Sequence, residues 1–571
     1  MNCFLSADAC LCSSRVSGSY LCHQILRLCL AGLIVLAVSS GKVLAQVSVL
    51  TANGDNDRTN ANLHESRLTP RNVRQGSFGK LGSFPTDGQV YAQPLYVSNL
   101  LFPNGTTRNA LYITTLNNTV YAYDADMPSA AGLLWQANLG QPFPTALWNA
   151  PYTDLSPEVG ILGTGAIDLS SGVLYLVAET LQNGDAVFSL HALDLLTGAE
   201  RKGGPVAITA QVSGSGAGSV GGVIPFDSRQ HLQRPGLLLA NGAVYVAFGS
   251  HMDQSPWHGW VMSYDATDLS AQLGVFLTTR NGEGGAVWQS GRGLAADDAG
   301  NVYSMTGNGD FDGAGDFGES FIKLSGPSAD LVDWFTPTNW KTLTDVDADL
   351  STGPALIPGT HNIVGGDKYG QLYFLNGDSM GKLGSSDADD GPVFSGAVIG
   401  GMFNFALWQA LGITYIYVQG YQDVVKSYQI SGGQFNSTPV SSGLTPVAAP
   451  RIGMTVSANG AGNGILWETT GDFATPSVPG TLHAFDALNL SVELWNSSEN
   501  ATEDSLGGFA KFVNPTVVNG KVYVATSSGV VVVYGLLCTN GAPSTAPACG
   551  PRCRPPAVAG RCVTGQTRSE R

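Results

Sequence analysis

Cysteine is missing from the whole middle of this chain. All nine cysteines lie in positions 3–29 or 538–562, and none falls between residues 30 and 537. The body of the protein therefore has no disulfide framework and no thiolate nucleophile, and its stability must come from its apolar core.

Charged residues are also scarce, at 13% of the chain against about 25% in an average domain. The net charge is −16, which disfavours nucleic acid as a partner because binding it requires Lys and Arg to neutralise phosphates. The hydrophobic content of 43% excludes wholesale disorder. The 73 glycines and 29 prolines exclude a coiled coil and suit short strands joined by tight turns.

Several catalytic motifs are absent. The chain has no HExxH and no CxxCH, so neither a zinc-protease helix nor covalent haem is indicated. A GxGxxG match at 313–318 lies between predicted strands with no helix after it, so it does not indicate a dinucleotide site. His251 and His258, with Asp253 between them, are interpreted as a polar loop, with a metal site as the alternative.

A repeated pattern of strands runs from about residue 76 to residue 536. Each copy has an apolar strand, a tight turn, a strand such as VYVA, a strand ending in Asp and a strand that often contains Trp. Short runs of alternating apolar residues bounded by Gly, Asn and Asp indicate antiparallel strands. We count eight copies, which predicts an all-β, eight-bladed β-propeller of four-stranded blades. Seven blades is the alternative, because the copy at 400–440 is irregular.

The last copy lacks an outer strand after Leu536, and the segment GSFGKLGSFP (76–85) resembles an outer strand without its own blade. We therefore predict that this segment completes the last blade and closes the ring, which removes an exposed sheet edge. The resulting division is an entry segment at 46–75, a propeller at 76–536 and a tail rich in Cys and Pro at 537–571.

The N-terminal residues resemble a secretory signal. An apolar run at 28–38 follows Arg15 and Arg27, and Val43-Leu44-Ala45 offers a cleavage site after Ala45. This predicts a signal peptide at 1–45, a secreted or periplasmic protein and no membrane span in the mature chain. An uncleaved anchor is the alternative. The four cysteines of the tail predict either two disulfides of open connectivity or a disordered tail.

One acidic loop has the spacing of a calcium-binding loop. Oxygen-bearing side chains fall at positions 1, 3, 5 and 9, a glycine at position 6 and a glutamate at position 12, as in an EF-hand loop. The flanking residues are predicted strands, so a whole EF-hand is excluded. The predicted metal ligands are Asn308, Asp310, Asp312, Asp316 and Glu319. The alternative is an acidic, glycine-rich turn.

A second acidic group alternates three carboxylates, Asp345, Asp347 and Asp349, in the sequence TDVDADLSTGP. Carboxylates held close together raise one another's pKa and can supply a general base. The alternative is a solvated loop.

Three stretches together resemble the pyrroloquinoline quinone (PQQ)-dependent alcohol dehydrogenases. The stretch at 282–311 contains a glycine run, Val-Trp, a strand pair and Thr-Gly-Asn, as that family does. The stretch after Asp345 resembles the family's acidic segment followed by Lys-x-Gly-x-x-Tyr, and residues 56–73 resemble its entry segment. The resemblance implies an eight-bladed propeller that oxidises an alcohol or sugar with PQQ and calcium.

The resemblance also implies roles for individual residues. Trp288 would form the aromatic floor beneath the quinone, Asn308 would bind calcium and Lys368 would contact a quinone oxygen. Asp347 or Asp349 would be the catalytic base that takes the alcohol proton.

The sequence departs from the family at two places. The family's adjacent cysteine pair is absent, and the stretch that holds its calcium-binding Glu reads GSHMDQSPWHGW, with His251 and Asp253 but no Glu. Glu179 lies one blade earlier. A second function therefore stays open beside the dehydrogenase, a non-catalytic propeller that binds a protein or glycan on one face.

Overall fold

The computed structural model describes residues 47–148, 154–384, 401–447, 451–475 and 477–537, and adds the backbone of three short strands, Gly391–Pro392, Cys538–Thr539 and Cys553–Arg554. The predicted signal peptide and the predicted disulfides of the tail lie outside the described residues. Cys538–Thr539 and Cys553–Arg554 pair as parallel backbone strands.

Eight mainly antiparallel sheets follow one another along the chain as the blades of a β-propeller, so the prediction of eight blades is confirmed. From the channel outwards, the main strands of blade 1 are Leu95–Leu101, Thr107–Thr114, Thr119–Asp124 and Leu133–Asn138, and those of blade 2 are Ala166–Asp168, Val173–Gln182, Asp185–Asp194 and Val206–Ala207. Those of blade 3 are Leu238–Ala240, Ala243–Ser250, Trp260–Asp265 and Asp268–Leu277. Those of blade 4 are Ala295–Ala296, Asn301–Met305, Phe321–Ser325 and Asp330–Thr336. Blade 5 has Ala355–Leu356, Asn362–Gly366, Gln371–Asn376 and Gly391–Pro392, and blade 6 has Phe405–Ala410, Ile413–Val418, Lys426–Ser431 and Gln434–Ser442. Blade 7 has Gly453–Asn459, Gly462–Thr470, Thr481–Asp486 and Asn489–Asn496. Blade 8 has Thr516–Val518, Lys521–Ala525, Val530–Leu536 and Phe78–Pro85.

The strand Phe78–Pro85 is the outermost strand of blade 8, as the sequence predicts. It pairs antiparallel with Val530–Leu536, with Phe78 opposite Leu536 and Pro85 opposite Val530. Residues from the two ends of the propeller therefore share one sheet, and this closure leaves no open seam between the first and last blades.

The aspartate that ends the third strand of several blades helps to join neighbouring blades. In blade 2, Asp194 Oδ1 accepts the N–H of Leu196 at 2.9 Å and forms a tight turn. The carbonyl of Leu195, inside that turn, accepts the hydroxyl of Tyr112 from blade 1 at 2.9 Å. The same contact between blades recurs in the pairs Tyr175–Ala266, Tyr417–Ala487 and Tyr523–Ala125. The repeated sequence pattern therefore includes both the strands of a blade and the turn that hydrogen-bonds to the neighbouring blade.

The entry segment circles inside the channel and contacts the blades in order. The backbone of Val49 exchanges hydrogen bonds with Tyr96 of blade 1, and the carbonyl of Leu50 accepts the N–H of Ile167 of blade 2. Asn56 Nδ2 donates to Leu239 O of blade 3 at 3.0 Å. The remaining contacts, with blades 4 to 8, are Asn56–Ala296, Asp57–Leu356, Thr59–Leu407, Asn60–Val456 and Asn62–Val517.

Two buried arginines hold this ring in place. Arg58 is fully buried and donates to the carbonyls of Ala52, Leu237 and Leu294 at 2.7, 3.2 and 2.6 Å. Arg292, also buried, donates through Nη1 to the carbonyl of Arg58 itself. The entry segment therefore fills the channel at the level of these two arginines. A cavity of about 380 Å³ lies beside the entry segment and is separate from the one described below.

Helices are few and short. The α-helices are Trp340–Asp345 and Ala501–Asp504, and single turns of 3₁₀ helix lie at Ala130–Gly132, Thr145–Leu147 and Gln289–Gly291. Short strands outside the blades are Ala61–Asn62, Phe143–Pro144, Glu158–Val159, Gln211–Ser213, Val223–Pro225, His231–Leu232 and Lys382–Leu383. None of the helices in the described part of the chain has the length and apolar character needed to cross a membrane.

Candidate active site at one end of the channel

A cavity of about 160 Å³ lies at one end of the channel. Its walls come from segments that precede innermost strands, such as Trp288 and Asp349, and from residues that follow second strands, such as Asn308 and Lys368. Since these two strands are antiparallel in every blade, both kinds of segment meet at the same end of the propeller. Residues far apart in the sequence are thereby brought together.

Trp288 forms an aromatic wall of the cavity. Its ring is partly exposed and is flanked by the rings of Phe403 and Phe512 at interplanar angles of 63° and 69°, with ring centroids 6.1 and 6.0 Å away. Its indole N–H donates to Asp349 Oδ2 at 2.8 Å. The two phenyl rings and the hydrogen bond leave the indole little freedom, so its free surface can support a flat ligand.

Lys368 lies between two carboxylates above this ring. Its Nζ is 2.6 Å from Asp347 Oδ1 and 2.6 Å from Asp349 Oδ1, and 5.5 Å from the centroid of the Trp288 ring. Burial alone would lower the pKa of the amine, but Asp349 and Asp347 outweigh it and raise the pKa well above its ordinary value. Lys368 is therefore a fixed positive charge in the cavity.

The two aspartates differ in their surroundings. The Asp349 residue is 3% exposed, whereas the Asp347 side chain is 66% exposed. Burial raises the pKa of Asp349 to about 6, although the positive charge of Lys368 opposes the rise. A carboxylate with a pKa near 6 is ionised at neutral pH and still basic enough to take a proton. Burial thus distinguishes the two aspartates that the sequence offers as the base, and Asp349 is the buried one.

Asn308 faces the same group of charges. Its Nδ2 donates to Asp347 Oδ1 at 2.9 Å, while its Oδ1 is buried and has no hydrogen-bond partner. A buried acceptor without a donor is unfavourable unless something else satisfies it. An amide oxygen of this kind suits a hard cation such as calcium.

Several residues in or beside the cavity have strained backbone. Gln289, Ser290, Asp347 and Phe512 have positive φ angles of 49°, 48°, 57° and 67°, a region that residues other than glycine rarely occupy. Such strain costs about 1–3 kcal/mol per residue and persists where surrounding contacts enforce it, commonly at functional sites.

Glu319 lies beneath the aspartate loop. It is fully buried, and its two carboxylate oxygens accept from Thr344 Oγ1 at 3.2 Å and from the Leu350 N–H at 2.9 Å. Burial and the nearby charge of Asp349 raise the pKa of Glu319 well above its ordinary value. Glu319 therefore anchors the segment that carries Asp349.

The other acids of the predicted calcium loop point elsewhere. Asp310 Oδ2 accepts the N–H of Glu283 at 2.9 Å, and Asp316 Oδ1 accepts that of Asn281 at 2.8 Å. Asp312 Oδ1 accepts three backbone N–H groups of its own turn. No group of three or more His, Cys, Asp or Glu side chains in the described part of the chain is arranged to hold a metal ion. The five side chains do not converge on one point, and calcium binding by this loop stays a prediction from the spacing alone.

The stretch at 250–260 contributes Asp253 to the cavity, together with Ser250 and Met252. His258 uses both ring nitrogens to fix loops, with Thr279 Oγ1 at 2.7 Å and Ala217 O at 2.8 Å. Its contacts favour the polar-loop interpretation. Glu179 is fully buried in blade 2 and does not line this cavity, so it does not replace the glutamate missing from the stretch.

The basic side of the cavity was not predicted from the sequence; Arg234 and Lys511 line it, with Asp154 beside Lys511. Lys511 Nζ forms an ion pair with Asp154 Oδ2, a contact between residues 357 positions apart. No motif surrounds either residue, so no local signal was available to connect them.

Comparison with known proteins supports the fold. No family model matches the sequence, and no curated protein matches it. Among solved structures, the chain is similar to a quinohemoprotein alcohol dehydrogenase from Pseudomonas putida HK5, with a TM-score of 0.56 and 14% identity over 86% of this chain and 80% of that chain. A quinohemoprotein alcohol dehydrogenase from Comamonas testosteroni gives the same TM-score, identity and coverage. At this identity the likeness establishes a shared propeller fold.

Proposed function

We propose that this protein is an exported dehydrogenase that oxidises an alcohol or sugar with PQQ. The observation that carries the proposal is the meeting of Trp288, Lys368 and Asp349 in one cavity at the end of the channel. A stacking surface, a fixed cation and a carboxylate of raised pKa are the parts that this oxidation requires. The apolar run at 28–38, read as a signal, supports export.

The residues fit the quinone more completely than they fit calcium. Trp288 offers a flat surface, and Lys368 is a cation directly above it. For calcium, Asn308 Oδ1 is an acceptor in need of a partner, and Asp253 lines the same cavity. Calcium takes six to eight oxygens, so most of the others would have to come from the cofactor and water.

Each residue has a definite task in this proposal. Asp349 takes the proton of the substrate hydroxyl, which is why its carboxylate must be ionised. Lys368 stabilises the negative charge that develops as the C–H bond breaks, and it keeps Asp349 ionised. The chemistry that PQQ would supply when bound is a two-electron acceptor for the hydride that leaves the carbinol carbon. The hydrogen bond from the Trp288 N–H to Asp349 fixes the position of the base relative to the stacking surface.

The test is reconstitution of the purified chain with PQQ, with and without calcium. PQQ binding is measured by titration calorimetry, and turnover by dye reduction over a panel of primary alcohols and sugars. We expect calcium-assisted binding, dye reduction with at least one class of substrate, and loss of PQQ affinity in Trp288→Leu. As a matched control, Trp408→Leu removes a tryptophan from the core of blade 6, away from the cavity. Absence of PQQ binding by the folded chain would overturn the proposal in favour of a non-catalytic binding propeller.

A further inference from the structure

Three cationic side chains lie close together near blades 3, 7 and 8: Arg234 and Lys511 line the cavity, and Arg451 lies behind Lys511 against the same phenyl ring. Lys511 has a side chain only 1% exposed, and its Nζ pairs with Asp154. The Arg234 guanidinium carbon lies 5.0 Å from the centroid of the Phe512 ring, and Lys511 Nζ lies 5.8 Å from it. Arg234 and Lys511 therefore hold positive charge beside one phenyl ring.

The third positive charge, that of Arg451, lies against a second phenyl ring. Its guanidinium carbon is 4.0 Å from the centroid of the Phe473 ring, and Lys511 Nζ is 4.5 Å from the same centroid. Arg451 Nη1 is buried without a hydrogen-bond partner. A buried guanidinium N–H with no acceptor is costly, so an acceptor brought within its reach would be favoured.

Asp154 is the carboxylate that interacts with all three members of this basic cluster (Arg234, Arg451 and Lys511). Among the described residues, the charged groups that act on Lys511 are Arg234, Asp154 and Arg451. Burial, followed by Arg234, lowers the pKa of Lys511 to about 7, although Asp154 opposes the change. Unbalanced positive charge out of water is unfavourable, and an anion bound there would relieve it.

The basic cluster is one phenyl ring away from the site of the proposed chemistry. The Phe512 ring that contacts Arg234 and Lys511 has its centroid 6.0 Å from that of Trp288. Arg234 and Lys511 line the same cavity as Lys368 and Asp349. A ligand of modest length could therefore reach both Asp349 and the basic cluster.

We propose that the substrate is an alcohol bearing a carboxylate or similar anionic group, which Arg234, Lys511 and Arg451 bind while its hydroxyl lies at Asp349. This inference rests on the proposed function. The same chemistry could serve a carboxylate of the cofactor instead, so the experiment must separate the two sources.

The first measurement is anion binding without any cofactor. Hexanoate and hexan-1-ol are titrated into the purified chain by calorimetry, so that only the carboxylate differs at the end of one alkyl chain. We expect hexanoate to bind at least tenfold more tightly, Arg451→Gln to remove roughly tenfold of that affinity, and Arg451→Lys to restore most of it. Arg108→Gln is the control of equal charge change, because Arg108 pairs with Asp124 in blade 1. Equal binding of the two probes, or no effect of Arg451→Gln, would overturn the anion site.

The second measurement compares turnover of 6-hydroxyhexanoate and hexan-1-ol by the PQQ-loaded protein. We expect Arg451→Gln to raise KM about tenfold for the hydroxy acid and less than about twofold for the neutral alcohol, with PQQ affinity unchanged. An equal loss on both substrates with weaker PQQ binding would assign the cluster to the cofactor and overturn the inference. If hexanoate binds as expected but neither alcohol is oxidised, the anion site stands and the proposed dehydrogenase fails.

Discussion

Trp288 donates its indole N–H to Asp349 Oδ2 at 2.8 Å, although the two residues are 61 positions apart and belong to consecutive blades. The bond joins the surface that would stack against a quinone to the carboxylate that would take the proton. Lys368, 2.6 Å from Asp349 and 5.5 Å from the Trp288 centroid, completes the arrangement. The relative position of stacking surface, cation and base is thus set by the folded chain before any ligand binds.

The pH dependence of turnover should report Asp349. Its pKa is raised to about 6 by burial, and the ionised form is the active one, so kcat/KM should rise as pH increases through about 6 and then level off. In Lys368→Met the carboxylate loses the cation that lowers its pKa, so the inflection should move to higher pH as the rate falls. A profile recorded from pH 4.5 to 8.5 tests both statements. An inflection that stays in place without Lys368 would show that Asp349 is not the group observed.

Arg58 should matter greatly for stability, because it joins the entry segment to blades 3 and 4 through buried carbonyls. In Arg58→Met several buried carbonyl oxygens lose their donors, and we expect a loss of about 3 kcal/mol or more in the free energy of unfolding. The control Arg71→Gln, at an exposed position, should change it by less than about 1 kcal/mol. The free energies of unfolding of both variants are measured by chemical denaturation. Similar values would show that the contacts of the entry segment made by Arg58 do not stabilise the propeller.

The acidic loop offers a separate test of calcium binding. Asp312 Oδ1 accepts three backbone N–H groups, so Asp312→Ala should lower the free energy of unfolding by about 1–3 kcal/mol whether calcium or a chelator is present. The melting temperature is measured in both conditions. If the variant is weakened only when calcium is present, the loop binds the ion as its spacing predicts, and the side chains must rearrange to do so.

Much of the fold could be predicted because each repeat can be recognised from a short stretch of sequence. Alternating apolar residues mark the strands, and Asp194 with its counterparts marks the turn that receives a tyrosine from the neighbouring blade. The closure by residues 76–85 was predictable for the same reason, since an unpaired outer strand at one end matched a missing strand at the other. The circular path of residues 49–62 was not, because its contacts are mainly backbone hydrogen bonds that leave no pattern in the side chains.

The site was only partly predictable. Trp288, Asn308, Lys368 and the aspartates were found because short motifs carry them, but the choice of Asp349 over Asp347 required their burial. The spacing of residues 308–319 suggested one ligand set, whereas backbone N–H groups take up the carboxylates of Asp310, Asp312 and Asp316. Lys511 and Asp154 meet only through the closure of the ring, which no local sequence pattern records.

The most direct test of the central claim is the turnover of Asp349→Asn loaded with PQQ. Asparagine keeps the size of the side chain and can still accept from Trp288, but it cannot take a proton. We predict that the variant binds PQQ as tightly as the parent, within about threefold, while kcat falls by about 10²–10⁴-fold. Asp298→Asn, an exposed substitution of the same kind in blade 4, should leave kcat unchanged. A variant Asp349→Asn that binds PQQ and turns over at the parent's rate would contradict the assignment of Asp349 as the base.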